Sequence, residues 1–255
     1  QDPAPTEVVV GSDGSTDKTA EIAEATGAKV ISVKKSNGSV ARNAAAKACS
    51  GDLFFFLDAD DWWSEGKIAA HLKAREDAPD ASFVIDRSTP FYANGDQASW
   101  KGGLSRTGRA QWHKFLSYRS WASGSSFSVS KENYWSVDGF NESLNKFQDV
   151  DFWVRAAHER GPAYCLEESY TNYRLSVGGV SRTTKLIEEN LGRVFTGWPF
   201  VSEEQQKAFR SHAYLTAAEV TPWPEAKEYF TAAGWPVTKR FFWKCLRESW
   251  RLRSA

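Results

Sequence analysis

The sequence predicts an α/β fold, a mostly parallel sheet flanked by helices, with a helical C-terminal extension. Three observations carry this. Short apolar runs alternate with helix-like segments from Glu7 to Asp86, the spacing of repeated strand–helix–strand units. One run, Leu53 to Leu57, is apolar at every position, as a strand covered on both faces is. From about Thr183 onward, helical stretches are separated by the Pro-containing turns GWPF, TPWPE and GWPV. The expected division is residues 1–182 for the α/β part and 183–255 for the extension.

Taken in order, Glu7–Val10 reads as a buried strand, followed by the polar turn GSDGSTD. Thr16 or Asp17 can cap a helix through about Thr26, which Gly27 ends. Lys29–Val33 is the second strand. A Gly-led loop then opens an alanine-rich helix from about Ser39 to Cys49, with Gly51 beyond its end. Leu53–Leu57 is the third strand, a helix follows from about Ser64 to Glu76, and Ser82–Asp86 is the fourth strand. Residues 87–108 are turn-rich and carry NGD, the mark of a hairpin or an ordered loop. Ser125–Ser130 reads as a strand, FQDVDFWVRAAHERG as a helix ended by Gly161, and Ala163–Glu167 as a short strand.

Composition excludes several classes. At 255 residues the chain can bury a full core. Lys and Arg balance Asp and Glu at 32 each, so the basic excess of a nucleic-acid surface is missing. Three widely spaced cysteines fit neither a disulfide framework nor a metal-type spacing and suit a reducing compartment. No apolar run approaches the ~18–20 residues of a membrane span. The expectation is a cytoplasmic protein, soluble or peripheral on the inner face of a membrane. Twelve tryptophans suit large core residues and also sugar-stacking faces.

Four stretches could carry chemistry. GDLFFFLDADDWW ends a strand on Asp58, Asp60 and Asp61. Ligands of open α/β sheets bind at the carboxyl ends of strands, and hard divalent ions take carboxylate and phosphate oxygens together. The alternative is that Asp60-Asp61 caps the next helix. VVVGSDGSTD places Asp13 in a Gly-flanked turn, where it accepts from a nucleobase imide or satisfies its own turn. NGSVARNAAAKA puts Arg42 near a helix N-terminus that follows Gly38, a combination suited to a diphosphate; a surface salt bridge is the other reading. FQDVDFWVR opens a helix with Asp149 and Asp151, either capping its dipole or supplying a general base for a hydroxyl. Phe152 and Trp153 beside it could wall a sugar.

In order and spacing, VVVGSDGSTD, NGSVARNAAAKACSGDLFFFLDADD, GSSFSVSKENYWSVDGFNESLNKFQDVDFWVRAA and the later YR together resemble the family 2 glycosyltransferases of GT-A fold, from Gln1 to Ser181. The resemblance implies an inverting, metal-dependent transfer of a sugar from a UDP-sugar to a hydroxyl of a glycan or lipid-linked acceptor. It assigns Asp13 to the uracil, and Gly38, Arg42 and Asp58 to the nucleotide. Asp60, with Asp58, falls to a Mn²⁺ or Mg²⁺ ion on the diphosphate, and Asp149 becomes the general base. Phe152, Trp153 and Arg174 fall on the acceptor side. The sequence departs from the family pattern at Ser12, Gln148 and Ser176, where an Asp, a Glu and a His are usual. The family's first strand and helix are expected ahead of the Glu7–Val10 strand and are missing from this sequence. The rival readings are a non-catalytic sugar-nucleotide-binding domain and a nucleotidyltransferase. Retention of Asp58, Asp60 and Asp149 together opposes the first, and the block around Asp149 opposes the second.

The last stretch, TKRFFWKCLRESWRLRSA, is basic and aromatic. As a helix over 238–253 it aligns Phe242, Leu246 and Trp250 and carries six cations against Glu248. Such a helix lies on an anionic membrane or packs its aromatic row on the domain.

Overall fold

The computed structural model describes residues 1–92, 94–97, 107–116, 122–175, 185–220 and 225–233. The chain begins with strand β1 (Val9–Asp13), helix α1 (Thr19–Ala25), strand β2 (Lys29–Val33) and helix α2 (Gly38–Ala48). β1 and β2 pair in parallel, Val9 opposite Lys29. Helix α2 starts where it does because Asn37 caps it, its side chain accepting from Ser39 N at 2.9 Å and Val40 N at 3.2 Å. The small residues of α2 let it lie close on β1. A Cβ on Gly11 would stand 2.4 Å from the carbonyl oxygen of Ala41, so only glycine fits there.

A second, six-stranded sheet is built from β3 (Leu53–Phe55), β4 (Trp62–Trp63), β5 (Val84–Tyr92), β6 (Gly108–Ala110), β7 (Phe127–Ser130) and β8 (Ala163–Leu175). Its order is β3-β7-β5-β8-β4, with β6 also on β8. Parallel pairing holds for β1–β2 and for the long β5–β8 ladder, whereas β3–β7, β5–β7, β4–β8 and β6–β8 are antiparallel. The strands alternate with helices as expected, yet β1 and β3 belong to different sheets. Among the described residues, β3 pairs only with β7.

Several element bounds differ from expectation for local reasons. β3 stops at Phe55 because the chain turns toward the site, with Phe56 in the core and Leu57 48% exposed. β5 runs on through Pro90, which is tolerable because, among the described residues, past Ile85 the one strand it pairs with is β8, apart from a single bridge of Phe91 to Gln97. β8 continues past Glu167 because register shifts in the β5–β8 ladder absorb the polar break. Helix α3 (Lys67–Asp77) begins after Gly66 in a left-handed conformation, later than the expected Ser64, and Trp62-Trp63 ahead of it pairs with β8.

Helices α4 (Lys131–Trp135) and α5 (Gln148–Glu159) follow β7, and α6 (Lys185–Gly197), α7 (Glu203–Val220) and α8 (Glu225–Ala232) close the described chain. One apolar cluster joins Phe54, Phe83, Phe127, Phe140 and Phe152 to Ile187, Leu191, Val194, Trp198 and Phe209. Helices α6 and α7 therefore share the core of the sheet. No helix among the described residues is long and apolar enough to cross a membrane. The 238–253 segment lies outside the described residues.

Candidate active site

The acidic turn after β3 is fixed residue by residue. Asp58 N donates to Ser125 Oγ at 2.9 Å, and that hydroxyl donates to Asp61 Oδ2 at 2.6 Å. Asp61 N closes the turn on the Asp58 carbonyl at 3.1 Å. From β8, Arg174 N donates to Asp61 Oδ1 and Arg174 Nε to the Asp60 carbonyl, both at 2.9 Å. Asp61 is buried, and burial pushes its carboxyl up to about 6, with Asp58 and Asp60 adding to the rise against the Ser125 and Arg174 donors. Since α3 begins only at Lys67, neither Asp60 nor Asp61 caps it. Asp60 is exposed and makes no hydrogen bond or ion pair through its side chain among the described residues.

Arg42 is the centre of charge. Its Nη2 pairs with Asp58 Oδ1, and its guanidinium lies 5.5 Å from the Phe140 ring centroid. Burial pulls the Arg42 pKa down, but Asp58 and then Asp149 more than offset this, so it is raised. Asp149, in the first turn of α5, accepts from Val150 N at 2.8 Å. Its pKa is raised chiefly by burial, with Asp58 adding to the rise and Arg42 opposing it. Arg42, Asp58 and Asp149 thus come from three separate elements into one electrostatic unit. Gly38 gives Arg42 its room, because a Cβ there would sit 2.6 Å from Nη1. The α2 N-terminus is less open than its sequence suggests, since Asn37 already occupies the Ser39 and Val40 amides.

Asp13 ends β1 and accepts from Ser36 N at 2.7 Å. No hydrogen bond joins it to Arg42, Asp58 or Asp149; it stands one loop away, beside the Asn37 cap. Two expected acceptor residues are corrected. Phe152 is 0% and Trp153 2% exposed, because their side of α5 faces the core, where Phe152 packs on Phe127 and Tyr134 and Trp153 on Phe115 and Phe127. Neither can wall a sugar. Arg174 is exposed, and its guanidinium lies 5.2 Å from the ring of the part-exposed Trp62. Ser176 lies outside the described residues.

The sequence reading missed several residues of the site. Ser125 links Asp58 to Asp61 across more than sixty positions, which no local pattern reveals. Lys146 is buried, and burial brings its ammonium down to about 8 against the opposing pull of Asp149. Phe147 has φ 66, a left-handed conformation costing a bulky residue about 1–3 kcal/mol, directly before α5. A groove of about 820 Å³ lined by Asn43, Lys47, Trp135, Glu142 and Phe200, among others, contains none of the expected site residues.

No cluster of three or more His, Cys, Asp or Glu side chains able to hold a metal exists among the described residues. The donor set still fits a hard divalent ion that takes most of its ligands from elsewhere. Asp60 offers a free, exposed carboxylate, and Mg²⁺-like ions commonly bind one or two carboxylates together with phosphate oxygens and water.

The model of the family described as Glycosyl transferase family 2 matches residues 1–130. No curated protein matches the chain significantly. Among solved structures, S. aureus TarS 1–349 is similar with a TM-score of 0.61 at 16% identity, over 89% of this chain and 69% of that one. The same protein in complex with UDP-GlcNAc gives 0.63 at 16% identity, over 96% and 74%. GalNAc-T7 with UDP, GalNAc and Mn²⁺ gives 0.59 at 13% identity, over 93% and 50%. At such identities the likeness shows the fold, and the fold is GT-A.

Proposed function

The chain belongs to glycosyl transferase family 2, and from that premise we propose an inverting, metal-dependent transfer from a UDP-sugar to a hydroxyl of a glycan or lipid-linked acceptor. The observation that carries this reading is the Arg42–Asp58 ion pair, with Asp149 at the start of α5 electrostatically linked to both. A diphosphate leaving group needs positive charge, and a hydroxyl nucleophile needs a base on the opposite side of the sugar.

In this mechanism Asp149 takes the proton of the acceptor hydroxyl as its oxygen bonds to the anomeric carbon. The bond from that carbon to the β-phosphate oxygen breaks, and the configuration inverts. Burial raises the basicity of Asp149, and Arg42 keeps its carboxylate form accessible. Arg42 also faces the charge that develops on UDP. Asp60, assisted by Asp58, would hold a Mn²⁺ or Mg²⁺ ion, which supplies Lewis-acid stabilisation of the departing diphosphate. Arg174 and Trp62 form the exposed rim beside Asp60, and Asp13 and Gly38 border the nucleotide side.

The test is UDP release by the full chain from a panel of nucleotide sugars with Mn²⁺. Asp149→Asn should lower turnover by about 10²–10⁴-fold, the usual worth of a general base, with UDP affinity retained. Wild-type turnover in that variant would reduce Asp149 to a helix cap. Asp60→Ala should abolish the Mn²⁺-dependent gain in UDP affinity in calorimetry; a gain that persists would remove Asp60 from the metal. A membrane-surface location is supported by the six cations of 238–253. It requires co-sedimentation with anionic but not neutral vesicles, and equal binding to both would end it.

A further inference from the structure

The turn that delivers Asp149 is held from outside by α6 and α7. Asn190, fully buried on α6, accepts through Oδ1 from two consecutive main-chain amides, Asn145 N at 2.8 Å and Lys146 N at 3.3 Å. Its Nδ2 donates to the Leu186 carbonyl at 2.8 Å, so the amide is oriented with its oxygen toward the turn. One helical turn further, Arg193 Nη1 donates to the Ser143 carbonyl at 2.6 Å. Phe147, left-handed at φ 66, packs its ring 5.4 Å from that of Phe209 on α7. Helix α5 starts at the next residue and Asp149 is its second. On the other side of α5, Trp198 Nε1 donates to Asp151 Oδ1 at 3.1 Å.

The direction in which Asp149 leaves the backbone is therefore set by residues 145–147. Among them Phe147 holds a left-handed conformation that a bulky residue does not adopt unaided. The buried Lys146 amide needs an acceptor, and Asn190 supplies it while also accepting from the neighbouring Asn145 amide. We propose that Asn190 is a positioning residue for Asp149, holding the left-handed turn so that the carboxylate faces Arg42 and Asp58. The proposal rests on the reading of Asp149 as the base. It gives the α6 segment a part in the chemistry that its sequence does not advertise.

A double-mutant cycle in the full chain tests it, using Asn190→Leu and Asp149→Asn singly and together. The readouts are UDP release, from UDP-GlcNAc or the donor that the panel selects, and UDP affinity by calorimetry. Asn190→Leu takes the side-chain acceptor from both turn amides, the buried one of Lys146 included, and is expected to lower kcat about 10–100-fold, the cost of an ångström-scale misplacement. UDP affinity and donor KM should stay unchanged. Added to Asp149→Asn, it should lower kcat no further, because there is no base left to misplace. Asn190→Asp, which keeps the acceptor, should fall less than Asn190→Leu. An equal fall in both backgrounds, or a parallel loss of UDP affinity, would overturn the positioning role alone. Wild-type turnover of Asp149→Asn would instead overturn the base assignment and the proposal with it. If Asn190→Leu does not fold, the exposed Arg193→Ala decides. It removes one bond to the same turn and should cost kcat about fivefold, without changing UDP affinity. An unaltered kcat there would overturn the proposal.

Discussion

At the scale of single residues, the space left by Gly38 is occupied by the Arg42 guanidinium. A methyl at 38 would meet its Nη1 and force the guanidinium, tied to Asp58 through Nη2, to shift. Gly38→Ala is therefore expected to weaken UDP binding about tenfold, close to the loss of one charge-assisted hydrogen bond. The melting temperature should hold or rise, because alanine is the better helix residue. Calorimetry and a thermal melt separate the two effects, and unchanged UDP affinity would show that Arg42 needs no such room. Asp58, Asp60, Arg42 and Asp149 could be named as candidates because the proposed chemistry would force a residue type at a strand end or in the first turns of a helix. Ser125 and Asn190 could not. Each acts through a contact that exists only after distant elements have packed; Ser125 lies in a serine-rich stretch, and Asn190 reads as one more polar residue of a helix. Phe152 and Trp153 misled for the complementary reason. Adjacency to Asp149 along the chain says nothing about which side of α5 faces the core.

Between elements, the strongest polar junction is a buried cluster that ties α3 to β5, β7 and β8. Lys67 Nζ pairs with Asp86 and donates to Thr171 Oγ1 at 2.8 Å, and His71 meets Ser128 Oγ at 2.9 Å and Asp86 Oδ1 at 3.3 Å. Tyr170 N also donates to Asp86, at 2.8 Å. Burial pushes the His71 imidazole down to about 4 from 6.5, with Lys67 and Arg75 adding to the fall and Asp86 opposing it. The unfolded chain then binds a proton below pH 6.5 that the folded chain refuses. The stability that His71 contributes is lost as pH falls from about 6.5 to about 4, by ~3 kcal/mol at most, while Asp61, raised to about 6, acts in the opposite sense over much of that range. His71→Gln should flatten that part of the profile in denaturant titrations at stepped pH. Loss of the Asp86 carboxylate, whose pKa is lowered, belongs to still lower pH. A variant with the same slope between pH 6.5 and 4 would place the proton elsewhere. None of this cluster was visible in the sequence, because a lysine and a histidine one turn apart read as a solvated helix face. The strands themselves were legible where apolar runs mark them, as in β2 and β7. The partition into two sheets was not, since the pairing partner of a strand is not written in its own residues.

At the scale of the whole molecule, the 1–182 and 183–255 parts meet in one core. Ile187, Leu191, Val194, Trp198 and Phe209 are each 0% exposed and belong to the cluster that holds Phe127 and Phe152. Burying a large apolar side chain contributes about 1.5–3 kcal/mol, so these five together supply ~8–15 kcal/mol. A domain's entire net stability is of that size, about 5–15 kcal/mol. The polar contacts across the same junction, from Asn190, Arg193 and Trp198, would also be lost with the helices. Residues 1–182 produced alone should therefore show no cooperative thermal transition and no UDP binding, whereas the full chain should show both. Circular dichroism melts and calorimetry on the two proteins check this. A fragment that melts cooperatively and binds UDP like the full chain would mean that the sheet and its nucleotide side stand without α6 and α7. The shared apolar cluster would then be a docking face and not a common core.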